Sequence, residues 1–252
     1  MPITISEFND IENKVITLMG MSGVGKTYLS TMLEGQGWKH YSCDYQIAKD
    51  IGLGDQVTKQ DISALSHYVG RLGNPAKGGF ALDEFKKRQR TYFEAECASL
   101  NALKKKVSKA HEDGFTHVVN DSTGSMCEID DDTLFDFVDE HSLIVYIKAS
   151  PEEEKAVLKR AQEYPKPLFY SPERFDYWLE EFLSDQGLSA AEEIEPDEFS
   201  RWVFPRLFEN RLPKYQAIAD KYGTTIPSEA FRDIQTEDEF LAVIVAHLKE
   251  TL

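Results

Sequence analysis

The sequence predicts an α/β fold with a doubly wound, five-stranded parallel sheet. Short apolar runs rich in β-branched residues alternate with longer amphipathic stretches, which is the pattern of strands joined by crossover helices. A glycine-rich turn directly follows the first apolar run, as in parallel sheets that bind ligands at the carboxyl ends of their strands. The chain has 252 residues, of which 41% are hydrophobic, and this is enough for the core of such a domain.

The five predicted strands are short runs bounded by turn residues. The first has the near-continuous apolar composition of a strand that is buried on both faces, and Gly20 ends it. The predicted strands are Val15–Met19, Lys39–Cys43, Thr116–Asn120, Leu143–Lys148 and Gly223–Ile226.

Helical patterns separate most of these strands. Ser150 with Glu153, and Thr236 with Glu239, have the spacing of capping boxes at helix starts. The predicted helices are Thr27–Glu34, Leu82–His111, Pro151–Tyr164, Phe208–Tyr222 and one that begins at Thr236. The last helix is expected to direct Phe240, Val243, Ile244, Leu248 and Leu252 toward the core.

The composition argues against nucleic acid and membranes as partners. The chain has 44 acidic and 28 basic side chains, and its formal charge of -16 repels a phosphate backbone. No window approaches the roughly 18 uncharged apolar residues of a membrane span, and Met1–Lys14 lacks the apolar core of a signal peptide. We expect a cytoplasmic protein, either a monomer or a homodimer. Cys43, Cys97 and Cys127 lie far apart, which predicts neither a disulfide framework nor a zinc site.

The turn after the first strand has the sequence G-M-S-G-V-G-K-T from Gly20 to Thr27, which matches G-x-x-x-x-G-K-[ST]. In this motif the glycines let backbone N–H groups converge on phosphate oxygens, Lys26 reaches the outer phosphates, and Thr27 can hold magnesium. The sequence therefore predicts a P-loop NTPase fold that binds ATP and Mg²⁺. The predicted nucleotide-binding residues are Gly20, Ser22, Gly23, Val24, Gly25, Lys26, Thr27 and Tyr28.

Asp121 is the candidate second ligand of the magnesium ion. It follows the third predicted strand, where a nucleotide site needs a carboxylate to organise the metal. The alternative is that Asp121 only stabilises its turn by accepting bonds from backbone amides. Gly124, in the same turn, permits a close approach to substrate.

Two further charged residues are expected near the nucleotide. Asp44 ends the second strand, where a carboxylate can orient or deprotonate an acceptor hydroxyl, although it can also simply cap the next helix. Arg160 lies near the end of the helix after the fourth strand, where it could stack on adenine or neutralise phosphate. The alternative is that Arg160 lies on the surface and only interacts with the dipole at the C-terminus of its helix.

Five motifs occur in a characteristic order. They are GMSGVGKT, the strand that ends at Asp44, the Asp121–Gly124 turn, Arg160 with Lys166-Pro167-Leu168, and the segment from Arg211 to Ala219, R-L-P-K-Y-Q-A-I-A. In this order the chain resembles shikimate kinase and its relatives among the nucleoside monophosphate kinase-like P-loop kinases. The resemblance covers roughly residues 14–50, 115–168 and 205–228.

The resemblance implies one P-loop kinase-like domain over residues 1–252, with a helical substrate-binding insertion at 45–114 and a lid insertion at 161–207. Aromatic residues crowd the lid insertion, and this density favours a packed subdomain over a base-stacking platform. These residues are Tyr170, Phe175, Tyr177, Trp178, Phe182, Trp202 and Phe204.

The resemblance also implies roles for single residues. Arg211 would bind a substrate carboxylate, Asp44 would contact the acceptor hydroxyl, and Lys166 would replace a lid arginine near the transferred phosphate. Arg88 and Arg90 are loose candidates for a second substrate arginine, with a surface role as the alternative.

The sequence departs from the family pattern in the substrate region. Ser42 replaces the first acid of a D-x-D pair, and Asp121-Ser-Thr-Gly124 replaces a triple glycine. The acceptor therefore need not be shikimate. We expect a kinase that transfers the γ-phosphate of ATP to a hydroxyl of a small anionic metabolite. The alternatives are a regulatory ATPase switch that acts on a protein partner, and a kinase toxin that acts on a nucleotide sugar.

Overall fold

A computed structural model describes residues 3–59 and 61–248, and the chain divides into two compact units. The first unit comprises Met1–Cys43, Cys97–Glu154 and Pro213–Leu252, and the second comprises Asp44–Glu96 and Lys155–Leu212. The second unit contains most of the two predicted insertions. It remains a prediction that residues 45–114 bind substrate and that residues 161–207 form a lid.

One parallel sheet forms the centre of the first unit. Its strands are β1 (Val15–Met19), β2 (Lys39–Ser42), β3 (Val118–Asp121), β4 (Leu143–Lys148) and β5 (Gly223–Pro227). The strand order is β2-β3-β1-β4-β5, and every neighbouring pair is parallel. The predicted fold class is therefore confirmed, with the strand before the glycine-rich loop in the middle of the sheet.

Helices occupy most of the remaining chain. In chain order they are α1 (Ile5–Asp10), α2 (Lys26–Gly35), α3 (Cys43–Asp50), α4 (Ser63–Val69), α5 (Leu82–Asn101), α6 (Leu103–Glu112), α7 (Asp132–His141), α8 (Pro151–Glu163), α9 (Pro172–Gln186), α10 (Pro196–Tyr222) and α11 (Glu237–His247). Both predicted capping boxes are present, because Ser150 exchanges bonds with Glu153 and Thr236 with Glu239. Within residues 3–59 and 61–248, no helix is both long enough and apolar enough to cross a membrane.

The core of the first unit lies between the sheet and its helices. Ile16 and Leu18 of β1 pack in one buried cluster with Leu29 of α2 and with Phe240 and Ile244 of α11. The prediction for α11 is confirmed for Phe240, Ile244 and Leu248, which are buried, while Val243 packs partly buried against them. Leu252 lies outside the described residues.

Several predicted boundaries differ from the structure. β3 ends at Asp121 rather than at Asn120, because the register that pairs Val15 with Val118 also pairs Leu18 with Asp121. β2 stops at Ser42, and Cys43 already begins α3. The long pattern from Leu82 to His111 is divided at Ala102 into two helices.

The largest difference is at the start of α10. The predicted start was Phe208, whereas the helix begins twelve residues earlier, at Pro196. Pro205 and Pro213 lie inside this helix, and a proline lacks the N–H that an interior helical position donates. Burial outweighs that loss, because Phe199, Val203 and Leu207 of α10 are all part of an apolar cluster in the second unit. Tertiary packing thus overrides the local signal.

The second unit has two apolar clusters of its own. One joins Phe85 of α5 to Phe175 and Trp178 of α9 and Phe199 of α10. The other joins Ile47 of α3, Tyr92 of α5 and Phe169. Five of the seven aromatic residues named for 161–207 pack in the first of these clusters, as expected for a packed subdomain, whereas Tyr177 is exposed and Phe204 lies outside the cluster.

Candidate active site

The glycine-rich loop needs a glycine at its first position. Gly20 has a φ of +147°, and a Cβ there would lie 2.7 Å from the carbonyl oxygen of Ile147 in β4. A side chain at this position would therefore collide with the neighbouring strand. The loop leads directly into α2, whose first residue is Lys26, so that the loop amides and the helix N-terminus lie together.

Lys26 belongs to the loop as well as to the helix. Its side chain turns back over the loop, where Nζ donates to the carbonyl oxygens of Gly20 at 2.7 Å and Met21 at 3.2 Å. Only 7% of the residue is exposed. Ser22 and Gly23, in contrast, are exposed at the outside of the loop, as are Thr27 and Tyr28 just after it. The ammonium group is thus held at the loop rather than in bulk solvent.

The two predicted magnesium ligands meet in the structure. β3 lies beside β1, and Thr27 Oγ1 donates to Asp121 Oδ2 across 2.8 Å. Asp121 is 6% exposed and contacts a side chain in the first turn of the loop helix, and its metal role stays a prediction. The described residues contain no group of three or more His, Cys, Asp or Glu side chains that could hold a metal by themselves. This donor set fits Mg²⁺, which is usually bound by one or two carboxylates, waters and the phosphates of the nucleotide.

His40 is a residue of this site that the sequence analysis missed. Its ring is buried between two carboxylates, with Nε2 3.7 Å from Asp121 Oδ2 and Nδ1 3.5 Å from Glu34 Oε2. Neither nitrogen has a hydrogen-bond partner among the described residues. His40 lies two residues before Ser42, and Ser42 pairs with Asp121 in the sheet. His40 could therefore be placed near Asp121 only once the strand order was known.

The turn after β3 lies against the glycine-rich loop. Ser122 Oγ donates to the carbonyl oxygen of Leu18 at 2.7 Å, which ties the turn to the end of β1. A Cβ on Gly124 would lie 2.7 Å from Ser22 Oγ. The close approach predicted for Gly124 therefore exists toward the loop, while its approach to a substrate stays a prediction.

The other predicted site residues belong to the second unit. They are Asp44, Arg88, Arg90, Arg160, Lys166 and Arg211. Asp44 is half-buried in the first turn of α3, and Arg160 is exposed in the last turn of α8, where the alternative of dipole pairing also applies. Lys166 and Arg90 are exposed.

Arg88 and Arg211 are held in place within the second unit. The Arg88 guanidinium lies 4.0 Å from the ring centre of Phe80, and Nε donates to Glu84 Oε1 at 2.6 Å. Arg211 is 8% exposed, and its Nη2 donates to the carbonyl oxygen of Phe169 at 2.8 Å. Burial raises the pKa of the neighbouring Tyr170 hydroxyl, and the Arg211 charge opposes that rise. Arg211 therefore has a structural contact that the sequence did not predict.

No known protein family matches the sequence, and no curated protein sequence matches it either. The solved structures that are similar to the chain include two shikimate kinases and a gluconokinase. A shikimate kinase from Bacteroides thetaiotaomicron has 15% identity over 92% of this chain and 94% of its own, with a TM-score of 0.41. A shikimate kinase from Acinetobacter baumannii in complex with shikimate has 17% identity over 81% and 98%, with a TM-score of 0.38. A gluconokinase from Sinorhizobium meliloti has 16% identity over 79% and 95%, with a TM-score of 0.31.

The strand order and the loop after β1 define the fold by themselves. A central strand leads through the glycine-rich loop into α2, and the adjacent β3 carries the carboxylate that meets Thr27. The protein therefore has a P-loop NTPase fold.

Proposed function

We propose that the protein is an ATP-dependent phosphotransferase that moves the γ-phosphate to a hydroxyl of a small anionic metabolite. The observation that carries the proposal is the 2.8 Å bond between Thr27 and Asp121 beside the loop that holds Lys26. A hydroxyl, a carboxylate and an ammonium group are thereby collected at one helix N-terminus. Phosphoryl transfer needs this kind of positioning and charge neutralisation more than it needs covalent chemistry.

The first unit would hold the nucleotide. The loop amides and Lys26 bind the phosphates, and Thr27 and Asp121 would hold Mg²⁺, which when bound neutralises charge on the β- and γ-phosphates. The exposed Ser22, Gly23 and Tyr28 are accessible to a ligand without rearrangement of the core.

The roles of the other residues follow from the resemblance to shikimate kinases. Asp44 orients the acceptor hydroxyl and accepts its proton, and Arg160 and Lys166 neutralise the transferred phosphoryl group. Arg211, with Arg88 or Arg90, binds the negative group of the acceptor. The Arg88 guanidinium is already bonded to Glu84 and to the carbonyl oxygen of Tyr68, so a contact with the acceptor would use the N–H donors that these bonds leave.

ATP consumption with and without acceptor pools tests the proposal. The protein is incubated with MgATP and with separate pools of hydroxy acids, sugars and nucleosides, and ADP release is followed. Stimulation by one acidic compound, with its phosphorylated product detected by mass spectrometry, is the expected result. Slow hydrolysis that no acceptor changes would contradict the kinase and favour the ATPase switch. Stimulation by a nucleotide sugar, together with growth arrest on expression, would favour the toxin.

A further inference from the structure

A tyrosine that the proposed reaction does not use is bonded to the turn beside the P-loop. We propose that Tyr215 is a positioning residue that sets the place of the Asp121–Gly124 turn relative to the P-loop, and so the affinity of the site for MgATP. The inference rests on the proposed function. It assigns to Tyr215 an effect on nucleotide binding, although no contact between Tyr215 and the nucleotide is required.

Tyr215 is fixed at both its ring and its hydroxyl. The residue is 0% exposed, and its ring stacks on Tyr146 with centroids 5.3 Å apart and an interplanar angle of 16°. Tyr146 pairs in the sheet with Met19, the residue directly before the P-loop. Burial raises the pKa of Tyr146 to about 12, so this ring stays neutral at physiological pH. The Tyr215 hydroxyl is thus placed by the same strands that place the P-loop.

The hydroxyl is bonded to the turn that touches the P-loop. Tyr215 Oη donates to the carbonyl oxygen of Gly124 at 2.5 Å. The same glycine leaves no space for a side chain, since its Cβ would lie 2.7 Å from Ser22 Oγ and 3.2 Å from Ser22 N. The Gly124 backbone therefore lies close beside Ser22 of the P-loop, with too little space between them for a methyl group.

A neighbouring ion pair holds the other end of the segment that runs from Asp121 to Glu128. Lys214 Nζ lies 2.5 Å from Glu128 Oε2, and only 1% of the Glu128 side chain is exposed. Glu128 belongs to the 3₁₀ turn Met126–Glu128, which follows Gly124 closely. Two consecutive residues of α10 thus hold a segment that begins at the candidate magnesium ligand Asp121. Misplacement by about 1 Å can cost a catalytic site roughly 100-fold in rate, so such anchoring has functional consequences.

Tyr215→Phe tests the inference, because it removes the hydroxyl and keeps the ring. A non-hydrolysable ATP analogue with Mg²⁺ is titrated calorimetrically well below the melting temperature of each variant. We expect the Kd to rise by about threefold to tenfold, the range that follows from the net worth of one hydrogen bond. A purely structural role would lower Tm without changing the Kd of the folded protein.

Tyr222→Phe is the matched control. Tyr222 lies in the same helix, stacks on Phe135 at 5.8 Å, and donates its hydroxyl to Asp132 Oδ1 at 3.0 Å. The loss of this hydroxyl should lower Tm and leave the Kd unchanged. An equal rise in Kd for both variants would overturn the inference.

A second pair of variants tests the other part of the inference, the close approach of the turn to the P-loop. Gly124→Ala places a methyl group against Ser22 Oγ and should weaken binding of the analogue by at least about tenfold. Adding Ser22→Ala removes that oxygen and should recover part of the affinity. Equal affinities of the single and double variants would contradict the proposed contact. If the wild-type protein does not bind the analogue, the proposed function itself fails, whereas normal binding by Tyr215→Phe defeats this inference alone.

Discussion

Thr27 Oγ1 and Asp121 Oδ2 are separated by 94 positions in the chain and by 2.8 Å in the structure. The bond joins the first turn of α2 to the end of β3, and it exists because β3 lies beside β1. Two oxygens of this kind next to a phosphate-binding loop are suited to a hard cation such as Mg²⁺.

Asp121→Asn should therefore abolish the magnesium dependence of ATP turnover. The amide keeps the size of the side chain and can still accept a bond from Thr27, but it lacks the charge that attracts the cation. We expect turnover to fall by about 100-fold or more, since changes even to outer-shell groups cost 10- to 100-fold in metal affinity or activity. Turnover is measured across a Mg²⁺ titration, with the exposed neighbour Asp130→Asn as control. A normal magnesium profile for Asp121→Asn would remove this residue from the metal site.

Lys26→Ala should abolish nucleotide turnover with a limited effect on the fold. The ammonium group is the only side-chain cation of the P-loop, and loss of one preorganised electrostatic group costs about 100- to 1000-fold in rate. Turnover and thermal unfolding are measured together, with the exposed Lys104→Ala as control. Persistent turnover in a folded Lys26→Ala protein would show that the loop is not the phosphate site.

Arg211→Ala should raise the KM of the acceptor at least about tenfold and change kcat little, because charged hydrogen bonds contribute roughly 1.5–3 kcal/mol. Arg211→Lys should recover only part of this loss, since lysine keeps the charge but not the planar fork. Arg206→Ala is the control, because Arg206 lies in the same helix and stacks on Trp202 at 3.6 Å. Unchanged acceptor kinetics would leave Arg211 with only its structural bond to Phe169.

Gln89→Ala should loosen the segment that follows Lys166. Gln89 Nε2 donates to the carbonyl oxygen of Leu168 at 3.1 Å, and Gln89 Oε1 accepts from Tyr170 N at 3.0 Å. Both bonds are lost in the variant, and each unsatisfied buried group costs about 1–3 kcal/mol. Hydrogen exchange at the Tyr170 amide should become faster, while the exposed neighbour Lys87→Ala should leave it unchanged. Equal exchange rates at the Tyr170 amide in the wild type and both variants would contradict this role of Gln89.

Ser228→Ala should lower stability at neutral pH and have a smaller effect in acid. Burial by itself would raise the pKa of Glu153, but hydrogen bonds from Ser228 and Ser150 outweigh it, and the pKa lies below its usual 4.5. A depressed carboxyl pKa stabilises the fold above the unfolded value, and this contribution is lost as pH falls through the folded value. The difference in Tm between wild type and variant should therefore shrink below pH 4.5. A difference that is constant with pH would exclude this linkage.

The local elements of the protein could be predicted from short stretches of its sequence. The loop from Gly20 to Thr27 and the capping boxes at Ser150 and Thr236 were predicted correctly, because their signals lie within a few residues of one another. The apolar run Leu143–Lys148 was also predicted at its true bounds. The parallel sheet followed from the alternation of such runs with helical patterns.

Other contacts between residues far apart in the chain became visible only in the folded structure. The strand order brings His40 to Asp121, and packing of α10 brings Tyr215 to Gly124, whereas the proximity of Asp121 to Thr27 was already expected from the sequence. Packing also carries α10 through its two internal prolines. These relationships depend on which strands and helices bury their apolar faces against each other. Which faces pack together depends on the whole core, and a short stretch of sequence is not enough to predict it.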